Sequence, residues 1–262
     1  MANVIITNSF VTLTNSMLTA RSENASYPKV NCLKQLRLMD VFRAADVIAD
    51  DYLLKINFGS AQSVAAVALL NVNFSHAQIQ GHASDVWTAP SYAGSSHAVS
   101  QNKYTGRYNV FVPLVDFNYQ YMRIYIPAGT TEVGTSQNQW QIGTMVIMSS
   151  ASPLAQNIAY GFSQSADEVT EEIGGDVASI SPVPEWEGTI SFGNRRKSEG
   201  ETMILTLNRM QRSKTVIFYV NDGDSSEVYL CYRESNFKIS RPFYSTISSD
   251  SITYREIARF RR

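Results

Sequence analysis

The chain has 262 residues, of which 44% are apolar, 11% aromatic and only 17% charged. Abundant aromatics with sparse charge are the reverse of a disordered composition, so the chain is expected to fold around a sizeable core, as one large β domain or as two domains of about 100 to 150 residues. A formal net charge of −1 supplies no field that would draw in polyanions, which argues against nucleic acid as the main partner.

Met1 to Phe10 has neither a basic leader nor an apolar stretch long enough for an export signal. The longest apolar stretch, Val64 to Val72 (VAAVALLNV), is about half of what a membrane span needs, so membrane insertion is not expected. Strand-like runs then recur through the first half: Ser9 to Leu13, Tyr52 to Phe58, Val64 to Val72, Ala77 to Ala83, Tyr108 to Val115, Tyr121 to Ile126 and Trp140 to Met148. In Tyr52 to Phe58 (YLLKINF) the residues Tyr52, Leu54, Ile56 and Phe58 share one face and Lys55 and Asn57 the other, the pattern of a half-buried antiparallel strand. Seven such runs predict a sandwich or jelly roll. One short helical turn is expected near Val41 to Ala49.

Thr144 to Met148 runs into Ser149 to Pro153 (SSASP), and the charge density changes there. Residues 1–150 carry 9 Lys+Arg and 8 Asp+Glu, against 13 and 15 in residues 151–262. That shift places the domain boundary at 150. Beyond it, Trp186 to Phe192, Glu201 to Leu207, Thr215 to Val220, Val228 to Arg233, Phe237 to Ile239, Tyr244 to Ile247 and Ser251 to Phe260 are predicted strands. Asn221 to Asp224 (NDGD) predicts a hairpin turn, because Asn, Asp and Gly tolerate positive φ. Gly200 to Arg212 also fits a helix face through Met203, Leu207 and Met210, and the pattern alone does not separate the two.

Catalytic patterns are not found. His76, His82 and His97 match no zinc spacing, although His76 and His82 fall on one side of a strand. Cys32 and Cys231, with no CxxC partner, are expected as reduced core thiols. No GxSxG, SxxK, Walker or GxGxxG spacing occurs. Glu185 and Glu187 flank Trp186 on the solvent side of a strand and are not expected to form a glycosidase pair; nor are Asp85 and Asp116. No catalytic residue, cofactor or metal is therefore assigned, and the chain is not expected to be an enzyme.

Asp85 to Tyr92 (DVWTAPSY), with His97, Tyr104 and Tyr108 following, has the composition of a sugar-binding surface: aromatic faces for pyranose rings and polar groups for hydroxyls. It fits a protein-contact loop equally well. Asp85, Trp87, Tyr92, His97 and Tyr104 are the candidates in either case. Asn194 to Lys197 and Arg259 to Arg262 are small basic clusters; Arg195, Arg196 and Lys197 can pair across subunits with acids such as Asp167, Glu168, Glu171 and Glu172. Phe111, Phe117, Tyr119 and Tyr121 are candidates for apolar contact between copies.

Several segments together resemble a family. Val11 to Ala20, Ser22 to Val30, Val41 to Ala44, the segment ending in Asn57, Phe58 and Gly59, then Val64 to Ser75, Tyr121 to Ile126 and Gln139 to Met148, are similar to the discoidin-like, galactose-binding-like β-sandwich of tail proteins in tailed bacteriophages. Pro153 to Gly161 looks like the passage into a smaller second β domain, barrel or sandwich, and Gly174-Gly175 with the arginine-bearing strands beyond resembles the C-terminal part of distal tail or minor tail proteins. The resemblance implies an all-β chain with a sandwich in 1–150 and an assembly domain in 151–262. It further implies a non-catalytic ring, trimer or hexamer, joining the tail tube protein to baseplate hub or fibre proteins in the virion, assembled in the host cytoplasm. The alternative is a receptor-binding module for host-surface glycans.

Overall fold

A computed structural model describes residues 3–35, 40–134, 136–151, 158–165, 169–173, 176–180, 185–192, 195–196, 198, 201, 215–221, 223–234, 239–243, 246–249 and 251–257. Nine strands lie in the first part: β1 (Asn3–Thr7), β2 (Leu18–Ala20), β3 (Phe42–Arg43), β4 (Asp51–Val72), β5 (His76–His82), β6 (Tyr92–Ala98), β7 (Ser100–Gln101), β8 (Tyr108–Ile126) and β9 (Gln141–Met148). Ten follow among the described residues: β10 (Ile158–Ser165), β11 (Val169–Ile173), β12 (Asp176–Ile180), β13 (Glu185–Phe192), β14 (Arg195–Arg196), β15 (Thr215–Asn221), β16 (Val228–Arg233), β17 (Ile239–Phe243), β18 (Thr246–Ser249) and β19 (Ile252–Glu256).

The architecture turns on two long strands. Tyr52 to Phe58 and Val64 to Val72, expected as separate strands, are one strand bent at its middle, and so are Tyr108 to Val115 and Tyr121 to Ile126. The β4–β8 register breaks between Asn57 and Gln62, where Gly59 sits at φ +81°, so the ribbon turns a corner there. Its two arms serve two stacked layers. In the outer layer the first arm of β4 and the second of β8 are flanked by β2 on one side and by β5 and β6 on the other. In the inner layer the other arms are flanked by β9 and β3 and by β7. Between the layers lies one core, with Leu54, Ile56, Ile79, Met122 and Ile124 from the outer sheet facing Val67, Leu69, Val110, Val112, Ile142 and Ile147 from the inner.

The inner sheet is buried on both faces. Ala66, Ala68, Leu70, Phe111, Val146 and Met148 turn away from the sandwich core and pack against Ile5, Ile217, Tyr219, Val228 and Leu230. Those partners belong to the sheet β1-β15-β16-β19-β13-β10. Phe111 stacks on Tyr219 with ring centroids 4.0 Å apart. The far face of that sheet holds a further core of Trp186, Phe218, Tyr229, Cys231 and Tyr254. Trp186 fits because residue 188 is glycine: a Cβ there would lie 2.1 Å from the indole.

The expectation of an all-β chain, with a sandwich first and a second β unit after it, describes this architecture. The first strand, however, lies in the 1–150 segment and pairs with the later sheet, Ile5 opposite Tyr219. Ser9 to Leu13 forms no strand; Phe10 makes a single bridge to Met148. The helical turn expected near Val41 to Ala49 is a two-residue strand and a loop, because Arg43 is taken by the Tyr27 ring (4.2 Å) and by Gln141 (3.2 Å). Phe111 and Phe117, expected at a subunit surface, are 2% exposed and belong to the core. Cys32 and Cys231 are buried free thiols, and burial pushes the Cys32 pKa up to about 12. The segments 202–212 and 259–262, and Asp167, Glu168 and Lys197, lie outside the described residues.

Candidate functional site

Solvent reaches the sandwich chiefly on the outer sheet. Because Met122, Ile124 and Ile126 point inward, Arg123 and Tyr125 point outward; Lys55 does the same between Leu54 and Ile56. Register then aligns the row: Lys55 lies opposite Arg123, and Arg123 opposite Gln80 on the next strand. A register irregularity between Tyr52 and Leu54 buries Leu53 as well as Leu54 and places Tyr52 beside Lys55, whose Nζ stands 5.1 Å from that ring. Tyr52 thus joins Lys55 and not Leu54, contrary to strict alternation.

The loop after β5 folds over this row. Asp85 accepts hydrogen bonds from Lys55 Nζ on both carboxylate oxygens, at 3.0 and 2.9 Å, and another from Trp87 Nε1 at 2.5 Å. The Trp87 ring is half-buried against the Arg123 guanidinium, 4.6 Å from centroid to Cζ. Tyr125 receives the same guanidinium at 5.1 Å, and its hydroxyl bonds Asp50. Arg123 Nε donates to Gln80 Oε1 at 2.6 Å. His82 lies beside Trp87, centroids 6.2 Å apart, and is held by Ser84. Burial works to raise the Asp85 pKa, but the hydrogen bonds from Lys55 and Trp87 and the charges of Lys55 and Arg123 outweigh it and hold the carboxyl below its usual range. Partial burial lowers the Arg123 pKa, against the opposing pull of Tyr125, Asp51 and Asp85.

The five expected contact residues do not form one loop. Asp85 and Trp87 belong to the cluster just described. Tyr92 packs edge-on against Phe117, with ring centroids 5.2 Å apart, and next to Tyr119. His97 lies opposite Ala77 in β6, its pKa lowered by partial burial. Tyr104 packs against the far core of the later sheet. Lys55, Gln80, Arg123 and Tyr125 were not among the expected residues. Their signal was the polar phase of YLLKINF and YMRIYI, but their meeting depends on strand register. Of the expected subunit contacts, Arg195 and Arg196 form β14 beside β18, and Glu171 and Glu172 lie in β11, opposite Ala178 and Val177 of β12. Among the described residues no group of three His, Cys, Asp or Glu is placed to hold a metal.

Elsewhere, a loop ties the sandwich to the later sheet. Arg107 pairs with the buried Glu256 at 2.8 Å, Lys103 pairs with the buried Glu227, and Asn102 donates to the Ser226 carbonyl at 2.8 Å. A cleft of about 390 Å³ beside this loop is lined by amides including Asn71, Asn73, Gln101 and Gln141. Asn73 and Gln141 already spend their amides on the protein.

No protein-family model matches the chain, and no curated protein matches it. Among solved structures it is similar to the paired CBM32 domains of ZmpB from Clostridium perfringens in complex with GalNAc, at 7% identity over 93% of this chain and 87% of that one, TM-score 0.39. It is similar also to chitosan-binding module 1 of a chitosanase/glucanase from Paenibacillus sp. IK-5, at 16% identity over 50% of this chain and 92% of that one, TM-score 0.34. A family 89 glycoside hydrolase from Clostridium perfringens aligns at 8% identity over 50% of this chain, TM-score 0.35, and the match spans only 14% of that enzyme.

Proposed function

We propose that this protein is a non-catalytic glycan-binding protein whose contact surface is the outer sheet of the sandwich around Trp87. The observation that carries the reading is the ring itself, half-exposed and fixed by Asp85 and Arg123 among hydrogen-bonding groups of both kinds, from Lys55, His82 and Asp85. An indole offers a flat face to the C–H side of a pyranose, while the surrounding imidazole and charged groups exchange hydrogen bonds with hydroxyls. Holding these groups in advance lowers the ordering cost that weakens binding to mobile surfaces.

Calorimetric titration with a glycan panel tests it. Chitosan oligosaccharides, GalNAc and Lewis B antigen open the panel. Saturable binding that is lost in Trp87→Ala, with an unchanged circular dichroism spectrum, is the expected result; indifference to the whole panel would count against the reading.

A second proposal keeps the ring of a phage tail tip, with the tail tube and baseplate hub or fibre proteins as neighbours. Its support is the β11–β12 hairpin, which among the described residues pairs with no further strand. Its acidic pair Glu171 and Glu172 would meet Arg195 and Arg196 of another copy. Light scattering with negative-stain images is expected to give rings of three or six copies, and a strict monomer that does not bind tail-tube protein opposes it.

A further inference from the structure

We infer that the outer-sheet surface selects acidic saccharides, with Arg123 as the residue that receives a carboxylate or sulfate. This deepens the glycan-binding reading and rests on it. The guanidinium lies over two rings, Trp87 at 4.6 Å and Tyr125 at 5.1 Å, and its Nε is already committed to Gln80 at 2.6 Å. Two aromatic contacts and one donor are therefore fixed by the protein. None of the hydrogen bonds among the described residues uses the terminal Nη groups, and Arg123 makes no ion pair there.

The contrast with its neighbours is informative. Lys55 is neutralised by Asp85 at 2.9 Å, and Arg21 pairs with Asp46 and, at 3.7 Å, with Asp51. Asp51 and Asp85 also act on Arg123 electrostatically, but each is held by another cation. An arginine that lies over two aromatic rings and whose terminal donors make no hydrogen bond among the described residues is suited to a planar or tetrahedral oxyanion, which it takes with two parallel N–H···O bonds. A ligand made of a pyranose with a nearby carboxylate or sulfate would satisfy the ring of Trp87 and the Arg123 fork together.

The test uses the full chain and three matched pairs of probes: hexagalacturonate with its methyl ester, 3′-sialyllactose with its methyl ester, and galactose 6-sulfate with galactose. For at least one pair the acidic member is expected to bind roughly tenfold more tightly, a ratio that shrinks with added salt. Arg123→Lys keeps the charge and loses the fork, so it should weaken binding of the acidic member more than that of the neutral one and collapse that ratio. Trp87→Ala should weaken both members. A preference confined to the sulfated pair, or to the two carboxylate pairs, supports the inference and identifies the oxyanion. Equal affinity for acidic and neutral members, or a ratio unchanged in Arg123→Lys, overturns the inference and leaves the glycan-binding reading standing; binding to no probe of either kind, nor to the wider panel, overturns both.

Discussion

The outer and inner sheets of the sandwich are built from opposite arms of the same two strands, yet they live under different constraints. The outer arm of β4 is covered on one side only and alternates, Leu54 and Ile56 inward with Lys55 between them. The inner arm is covered on both sides, and Ala66 to Leu70 is buried without a break. A sheet with one wet face can vary every second residue without cost to the core, whereas a doubly covered sheet must be apolar throughout. The solvent-facing cluster of Lys55, Asp85, Trp87, Arg123 and Tyr125 accordingly lies on the outer sheet, and the inner sheet works as a joint between the sandwich and the later sheet.

Substitutions should separate these two roles sharply. Phe111→Ala on the inner sheet removes a ring that is 2% exposed and stacked on Tyr219, so a loss of about 3–5 kcal/mol is expected in urea unfolding. A loss below about 1 kcal/mol would mean that the joint is loosely packed. Next comes Arg107→Ala, which removes the cation paired with the buried Glu256 carboxylate. Removing one partner of such a pair costs up to about 3–5 kcal/mol, and Arg107→Ala with Glu256→Gln should recover part of it because the carboxylate that lost its cation is then replaced by a neutral amide.

On the outer sheet the effects on stability should be small. Lys55→Gln breaks a pair whose carboxylate is 46% exposed, and a change of at most about 1 kcal/mol is expected from the same unfolding curves. The smallest effect is a pH dependence. Because the Asp85 pKa is lowered in the fold, its contribution is fully present above the unfolded value near 3.9 and fades only as pH falls through the lower folded value. Trp87 fluorescence should thus be constant from pH 5 to 8 and shift only below about pH 4. That shift should vanish in Asp85→Asn, with the buried Trp140 and Trp186 as a steady background. A transition near neutrality would show that another group governs the indole.

This division also accounts for what could be read from the sequence. Alternation in YLLKINF and the apolar runs VAAVALLNV and TMVIM are both legible as strands, and their burial explains both patterns. Periodicity carries no information about the corner at Gly59, where two expected strands join, nor about the irregularity that moves Tyr52 to the Lys55 side. The strand β10 was hidden because glycine and serine dilute its apolar phase (IAYGFSQS), which reads as a linker. Of the site, Asp85 and Trp87 were visible as an aromatic and acidic loop. Lys55, Gln80 and Arg123 come from strands far apart in the chain and meet only through register.

The pairing of β1 with β15 bears on how the chain reaches this state. Residues Asn3 to Thr7 are synthesised well before their partners Ile217 to Asn221, with the whole sandwich made in between. Ile5 and Ile6, both destined for buried positions, must therefore stay out of non-native contacts until that intervening segment is complete. Closing so long a loop is slow, and the later sheet gains its edge strand only when it closes. Refolding should accordingly end with the docking of β1, and a fragment beginning after β1 would present the row Ile217 to Asn221 as an open sheet edge, prone to pair with a neighbour's.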